Sequence, residues 1–266
     1  MMIRSVKLIY FSPTKTTKRV LEGIAQGIQV DRIDHLDLTP PAEETQKFEE
    51  MEDEFVMIGA PVYSGRVALE AVKRLHGLKV KQTPAVIVVV YGNRAYEDAL
   101  LELRNLTVEA GFIPIAGGTF IGEHSHSKEA APIACGRPDV EDLKKAREFG
   151  MLIRKKMRDT DLLSEMPPLQ VPGNFPYKER RNRLKVSPIT RETVCTLCGT
   201  CATVCPTGAI TVSHRVMTNP DGCISCCSCI KNCPTQARIY EAPEVKEIAE
   251  WLSKKCRDRK EPEIYV

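Results

Sequence analysis

The 266-residue sequence lacks the features that would assign it to several common protein classes. Its longest apolar run, Ala85 to Tyr91, is far too short to cross a bilayer, so no membrane span is predicted. Lys7 interrupts the apolar N-terminus, so no export signal is expected. The formal net charge of +3 is nearly balanced and no nucleic-acid recognition motif is present, so no nucleic-acid partner is predicted.

Two further absences concern redox chemistry. No G-x-G-x-x-G fingerprint is found, which argues against direct oxidation of a nicotinamide dinucleotide. Without an export signal, the eleven cysteines are expected to lie in a reducing, cytoplasmic compartment. A disulfide framework is therefore not predicted.

The cysteines from Cys195 to Cys233 form a repeated pattern. Each half reads Cys-x2-Cys-x2-Cys-x3-Cys-Pro, and the second half begins at Cys223, 28 residues after the first. This is the ligand spacing of bacterial iron–sulfur proteins. A zinc ribbon instead needs two cysteine pairs with a longer gap between them. The threonine and alanine after each fourth cysteine also recur, which indicates an internal duplication.

The pattern predicts two [4Fe–4S] clusters. Three closely spaced thiolates can bind one cluster, and in two-cluster proteins the fourth cysteine of each run ligates the other cluster. The first cluster is assigned to Cys195, Cys198, Cys201 and Cys233, and the second to Cys223, Cys226, Cys229 and Cys205. Cys227 would break the spacing as a ligand, so it is interpreted as a spare thiol near the cluster.

The N-terminal part alternates between strand and helix patterns. Apolar or β-branched strands are predicted at 5–11, 31–38, 55–60, 85–91 and 112–121. Helices are predicted at 16–28, 67–75, 96–110 and 139–157, and a further helix begins at Pro243. The alternation predicts an α/β domain with a doubly wound parallel sheet. Ligands of such sheets bind beyond the carboxyl ends of the strands.

Three informative loops follow the first, third and fourth predicted strands, at 12–17, 61–66 and 92–96. The first is rich in hydroxyls and precedes a helix, so it indicates either a phosphate site or an ordinary helix cap. Tyr63, with Tyr91 or Tyr96, could cover the faces of a flat flavin ring. Gly65 and Gly92 would allow the backbone to approach that ring closely.

On these loops, residues 5–121 resemble a flavodoxin. The matching motifs are Ser12-x-Thr14-x-x-Thr17, Gly59-Ala60-Pro61-Val62-Tyr63-x-Gly65 and Tyr91-Gly92-Asn93-Arg94-x-Tyr96. The resemblance implies the strand order 2-1-3-4-5 and bound FMN. It implies contacts to FMN from Ser12, Thr14, Lys15, Thr16, Thr17, Pro61, Val62, Tyr63, Ser64, Gly65, Tyr91, Gly92, Asn93, Arg94 and Tyr96. Lys15 departs from the family pattern, because flavodoxins usually have glycine there.

The whole chain resembles the flavodoxin–ferredoxin fusion proteins of anaerobic bacteria and archaea. The expected parts are a flavodoxin-like FMN domain at 1–159, a proline-rich basic linker at 160–189, a small α+β 2[4Fe–4S] ferredoxin domain at 190–240, and a C-terminal helix and tail at 241–266. The basic residues of the linker are either a solvated segment, which is the favoured interpretation, or a docking patch for an acidic redox partner. They are Lys178, Arg180, Arg181, Arg183 and Lys185.

The predicted function is electron transfer between FMN, two [4Fe–4S] clusters and external redox proteins, with a homodimer left open. The alternative is a flavin-dependent reductase of a small molecule, fed by the clusters. Its candidate acid–base residues are Glu123, His124 and His126. The same His-x-His loop could hold a metal, but contact with the flavin or the ferredoxin domain is favoured. A regulatory sensor would need an output domain, and the sequence indicates none.

Overall fold

The computed structural model describes residues 3–41, 55–160, 163, 166–181 and 184–266, and the structural statements below concern these residues. Arg183 of the predicted basic run lies outside them. Within these ranges, no helix has the length and apolar character needed to cross a membrane.

A parallel sheet forms the centre of the first domain. The strands of the chain are β1 (Ser5–Tyr10), β2 (Arg32–Asp37), β3 (Phe55–Tyr63), β4 (Arg66–Val67), β5 (Thr83–Tyr91), β6 (Phe112–Ile121), β7 (Ile189–Thr190), β8 (Ile210–Val212), β9 (Val216–Thr218), β10 (Arg238–Ile239) and β11 (Glu263–Tyr265). The parallel strands lie in the order β2-β1-β3-β5-β6, which confirms the predicted order 2-1-3-4-5.

Two details of the sheet differ from the prediction. The segment 61–63, predicted as loop, continues β3 and turns back through β4, which pairs antiparallel with it. The last strand, β11, pairs antiparallel with β6 and so covers what would otherwise be a sheet edge. Neither short strand has enough residues to show a period-2 pattern in the sequence.

Helices cover both faces of the sheet. The helices of the described residues are α1 (Thr16–Ile28), α2 (Leu69–Leu75), α3 (Ala99–Glu109), α4 (Val140–Arg158), α5 (Thr200–Thr203), α6 (Ser228–Lys231) and α7 (Pro243–Lys255), and the first four cover the sheet. α1 and α4 pack on one face and share an apolar core with it, whereas α2 and α3 share a second core on the other face. α1 and α4 approach so closely at Gly27 that an added Cβ would lie 1.9 Å from the Arg147 carbonyl oxygen.

The described part of the linker lies against α3 and is not simply solvated. Asp98 accepts hydrogen bonds from the backbone N–H groups of Asn174 and Lys178 at 2.9 and 2.6 Å. Arg180 donates to Glu102 at 2.6 Å. The favoured interpretation of the basic run as a solvated segment is therefore wrong for Arg180, because the buried carboxylate of Glu102 binds its guanidinium. The side chain of Lys178 pairs with the partly exposed Glu97 at 2.5 Å.

The ferredoxin-like part has two short antiparallel ribbons, β7 with β10 and β8 with β9, together with the one-turn helices α5 and α6. The internal duplication is visible in its backbone, because left-handed residues recur 28 positions apart. The pairs are Leu197 and Ser225, Gly199 and Cys227, and Gly208 and Gln236. Cys227 thus occupies a left-handed position that is glycine in the first half, which favours a conformational role over ligation.

The C-terminal segment returns to the first domain. α7 packs through Leu252 and Cys256 against Ile133, and β11 then joins the sheet. Arg259 donates two hydrogen bonds, at 2.5 and 3.2 Å, to Asp139, which lies at the start of α4. The tail is therefore an integral layer of the first domain.

Candidate functional site

The carboxyl ends of the central strands open onto a cavity of about 1730 Å³. All three predicted loops contribute to its wall, and so do the linker, the ferredoxin-like part and α7. The predicted FMN contacts that line it are Ser12, Thr14, Thr16, Thr17, Pro61, Val62, Tyr63, Ser64, Tyr91, Gly92 and Arg94. The other four, which are absent from its lining, are Lys15, Gly65, Asn93 and Tyr96.

The loop before α1 has the properties of an anion site. Lys15 adopts φ 63°, a left-handed conformation that glycine favours, and its side chain is exposed. Ser12 Oγ accepts the backbone N–H of Lys18 at 3.1 Å. The buried Thr17 hydroxyl has no hydrogen-bond partner in the described structure. An unpartnered hydroxyl at the positive end of a helix fits a phosphate group.

The loop after β5 is divided between the cavity and the C-terminal tail. Gly92 lies against His124, and an added Cβ would be 2.3 Å from its Cδ2 atom. Buried Asn93, at φ 63°, donates to the Cys256 and Asp258 carbonyls at 2.8 and 2.9 Å. Its side chain is therefore engaged by the tail, which the sequence did not predict.

Tyr96 has a similar role at the outer end of the same loop. Its hydroxyl donates to Glu263 at 2.8 Å and lies 3.2 Å from the Tyr265 hydroxyl. Its ring meets that of Tyr91 edge-on at 5.5 Å. Tyr91 and Tyr63 are thus the aromatic rings of the predicted set that line the cavity.

Residues that were not predicted as FMN contacts complete the cavity wall. α7 contributes Val245, Ile248, Trp251 and Leu252. Trp251 is the chain's single tryptophan and is 53% exposed. A flat, largely apolar ring would therefore meet apolar walls in this cavity.

The His-x-His loop connects the cavity with the ferredoxin-like part. His124 and His126 both line the cavity, and their rings lie 5.4 Å apart. The N–H of His126 donates to His124 Nδ1 at 3.1 Å, which places the proton of a neutral His124 on Nε2. Burial lowers the pKa of His124 to about 3. At neutral pH His124 is thus an uncharged hydrogen-bond donor.

Glu123, the third acid–base candidate, has partners of its own. Lys231 of α6 donates to it at 2.5 Å, and the backbone N–H of Gly136 donates at 3.0 Å. Burial alone would raise the pKa of Glu123, but these hydrogen bonds hold it below its usual value. Glu123 therefore lines the cavity as an ionised interdomain contact and is not a free acid.

The four cysteines assigned to the second cluster line one small cavity. They are Cys205, Cys223, Cys226 and Cys229, and Cys227 also contributes to the wall. Cys205 comes from the first half of the repeat, and it lines the same cavity as the three cysteines of the second half. Burial raises the pKa of Cys226 to about 12 and that of Cys229 to about 11. Iron would therefore be needed to hold them as thiolates.

The cysteines assigned to the first cluster lie nearer the surface. Cys198 is exposed, Cys195 and Cys233 are partly buried, and Cys201 is buried. The N–H of Ala237 donates to Cys233 Sγ at 3.2 Å, the kind of bond that stabilises a ligating sulfur. Across the described residues, no three His, Cys, Asp or Glu side chains converge as they would around a single metal ion.

The two domains meet at the carboxyl edge of the sheet. Ser228 donates to the Pro13 carbonyl in the phosphate-site loop at 2.8 Å, in a buried contact. Arg74 donates to the Pro206 carbonyl at 2.5 Å. Cys227 Sγ lies 3.6 Å from His126 Nδ1, and the His126 ring meets that of Tyr240 edge-on at 5.8 Å. The ferredoxin-like part is therefore docked directly on the cavity.

Comparison with known proteins gives one family match. The model of the 4Fe-4S binding domain matches residues 188–211, which include the first four cysteines of the repeat. None of the curated proteins matches the chain.

Several solved structures resemble the first domain. A flavodoxin from the domain Archaea has 16% identity and a TM-score of 0.42, covering 58% of this chain and 99% of its own. Rubredoxin oxygen:oxidoreductase from the anaerobe Desulfovibrio gigas has 12% identity and a TM-score of 0.43, covering 58% of this chain and 36% of its own. A Fusobacterium nucleatum flavodoxin bound to flavin mononucleotide has 14% identity and a TM-score of 0.38, covering 58% and 99%.

The fold assignment itself rests on the strand order of the sheet. A doubly wound, flavodoxin-like first domain followed by a segment that matches the 4Fe-4S binding domain gives the chain the composition of a flavodoxin–ferredoxin fusion.

Proposed function

We propose that this protein is an electron carrier that holds FMN in the large cavity and two [4Fe–4S] clusters in the ferredoxin domain, and exchanges electrons with external redox proteins. The flavin supplies two-electron chemistry and each cluster supplies one-electron chemistry. One chain that holds both kinds of centre can connect two-electron and one-electron pools.

The observation that carries this proposal is the contact between the two cavities. Pro206, Thr207 and Ile224 line both the large cavity and the small cysteine-lined cavity. The site for the second cluster is thus separated from the flavin site by single side chains. Such proximity favours electron exchange within one molecule.

The exposure of the cysteines suggests an order for the centres. The small cavity, most of whose cysteines are buried, shares wall residues with the proposed flavin site, whereas Cys198 of the first cluster set is exposed. An external redox protein would therefore approach at Cys198, and the second cluster would lie between it and the flavin. Tyr63 lines the large cavity, and its pKa is raised by burial and by nearby Cys226 and Cys227.

The phosphate of FMN would be held by the loop before α1. The free hydroxyl of Thr17 and the N-terminal N–H groups of α1 are its expected donors. Tyr63, Tyr91 and Trp251 are expected to contact the ring. Gly92 would permit close approach of the backbone to it.

One observation favours the second candidate function, flavin-dependent reduction of a small molecule. His124 is a neutral donor at the cavity, and no partner for its Nε2 atom is seen in the described structure. Glu123 and His126 are engaged at the domain interface, so His124 is the acid–base candidate that remains.

The test is anaerobic purification of the full chain, followed by measurement of flavin, iron and acid-labile sulfide. Two clusters predict about eight irons per flavin. The emission of Trp251 should be quenched by bound FMN and should recover when the flavin is released. Zinc without acid-labile sulfide, or unchanged Trp251 emission, would contradict the proposal. Saturable turnover of a small oxidant without a partner protein would favour the reductase.

A further inference from the structure

Arg238 breaks the internal duplication of the ferredoxin domain. The segment after the fourth cysteine reads Pro-Thr-Gly-Ala-Ile in the first half and Pro-Thr-Gln-Ala-Arg in the second. The 28-residue offset places Arg238 where the first half has Ile210. Ile210 is an apolar core residue, only 6% exposed. A cation at the equivalent position calls for an explanation.

The guanidinium of Arg238 is buried without a carboxylate partner. Arg238 is 2% exposed and lies at the start of β10. It donates to Thr190 Oγ1 at 2.6 Å, to Thr218 Oγ1 at 2.7 Å and to the Pro188 carbonyl at 2.9 Å. Among the described residues, its Nε atom has no hydrogen-bond partner. All three acceptors are neutral, so the described residues leave its charge uncompensated.

An uncompensated buried charge is costly, because desolvation removes several kcal/mol of hydration. Proteins therefore place such a charge beside an opposite one. The neutral acceptors around Arg238 cannot supply that opposite charge. It must therefore come from another group beside the guanidinium.

Cysteines assigned to different clusters lie around Arg238. The N–H of Ala237, the residue before it, donates to Sγ of Cys233 in the first cluster set at 3.2 Å, and β10 packs against α6, which carries Cys229. Thr218, which accepts a bond from Arg238, pairs with Ile210 between β9 and β8. Cys201 is assigned to the first cluster and Cys229 to the second. These two cysteines, together with Cys205, also pack into one apolar cluster with Ile210. Arg238 is therefore placed where the two halves of the repeat meet.

We propose that Arg238 is the shared counter-charge of both [4Fe–4S] clusters and raises the reduction potential of each. This inference rests on the proposed function, since it requires both clusters. A cluster with four thiolate ligands is an anion that gains one more negative charge on reduction. A fixed cation nearby stabilises the reduced form more than the oxidised form, and net charge is a known determinant of cluster potential.

The experiment uses the full chain, purified anaerobically, with Arg238→Gln and Arg238→Met as neutral variants and Arg238→Lys as the variant that keeps the charge. Iron and acid-labile sulfide are measured first, and both cluster potentials are then obtained by reductive titration followed by electron paramagnetic resonance. In the neutral variants, the ratio of reduced to oxidised cluster at a fixed solution potential should fall about tenfold at both clusters. For a one-electron couple, this corresponds to a reduction potential lower by about 59 mV.

Arg191→Met is the matched control. Arg191 is an exposed cation of the same domain that donates to the Gln236 carbonyl. Solvent and salt screen its charge, so its loss should leave both potentials unchanged. Arg238→Lys should stay close to the wild type.

The outcomes separate this inference from the proposed function. Wild-type protein without acid-labile sulfide would contradict the proposed function itself. The role of Arg238 alone would be overturned if the neutral variants kept about eight irons and showed unchanged potentials. A shift at one cluster only would overturn it too, and so would an Arg238→Lys variant that behaves like Arg238→Gln. Loss of iron from both neutral variants but not from Arg238→Lys would support the inference, because the charge would then be needed to hold the clusters.

Discussion

Replacement of Glu102 by glutamine tests how the linker is fastened to the first domain. Its carboxylate accepts two bonds from the Arg66 side chain at 2.8 Å, one from the Val67 N–H at 2.9 Å and one from Arg180 at 2.6 Å. The side chains of Arg66 and Glu102 are only 11% and 5% exposed. The substitution therefore leaves one buried cation and one partly buried cation without their counter-charge.

The expected loss follows from what Arg66 keeps. Breaking a buried ion pair by removing one partner costs about 3–5 kcal/mol, because the other charge stays buried. Arg66 still donates to the Lys178 carbonyl and lies over the Tyr177 ring at 4.6 Å. These contacts soften the penalty, so we expect Glu102→Gln to lower the free energy of unfolding by about 3 kcal/mol, the low end of that range.

Urea denaturation of the full chain, followed by circular dichroism, measures the loss as a lower midpoint with an unchanged slope. Lys145→Met is the matched control, because it removes an ion pair with Glu261 in which both side chains are 40% or more exposed. Such pairs contribute about 0–1 kcal/mol. If Glu102→Gln cost no more than this control, the argument from a buried ion network would be refuted.

Three further predictions concern the cysteine repeat, the tail and pH. Cys205→Ala should lose about half of the iron, whereas Cys227→Ala should keep it all; equal iron contents would refute the assignment of Cys205 as a ligand and of Cys227 as a spare thiol. Asn93→Gly keeps the left-handed backbone but loses the hydrogen bonds to the tail. FMN should then bind about tenfold more weakly in a fluorescence titration, and unchanged affinity would limit the tail to a structural role. His124 has a pKa of about 3 in the folded chain and about 6.5 in the unfolded chain, so protonation favours the unfolded chain. The free energy of unfolding should therefore fall as the pH drops below about 6.5, by up to about 1.4 kcal/mol per pH unit. His124→Asn should make urea midpoints less dependent on pH between about 7.5 and 5.5, and parallel slopes would contradict the assignment.

The sequence was sufficient where the signal is local. The periods of strands and helices lie within single segments, so their alternation predicted the parallel sheet, whereas the order of its strands was implied by the resemblance to flavodoxins. The cysteine spacing is also local, and the ligation of the second cluster by Cys205, which follows the rule for two-cluster proteins, stays a prediction. The contact of Thr17 with a phosphate also stays a prediction, and its hydroxyl has no hydrogen-bond partner in the described structure.

The remaining features depend on contacts between distant parts of the chain. A basic run has the same composition whether water or buried carboxylates surround it, and Asp98 lies 80 residues before Lys178. Asn93 resembled a flavin contact because nothing local reveals that Cys256 and Asp258 bind it. By contrast, the exchange of Ile210 for Arg238 was visible in the aligned halves and could have been found from the sequence.

These long-range contacts decide how the two domains are held together. The ferredoxin domain is fastened on both sides, by the linker at Asp98 and Glu102 before it and by the tail at Asn93 after it. It cannot swing away from the cavity without breaking buried hydrogen bonds and a buried ion network. Salt screens such buried pairs far less than exposed ones. Electron exchange between the domains should therefore depend little on ionic strength or protein concentration, whereas exchange with an external partner at exposed Cys198 should depend on both.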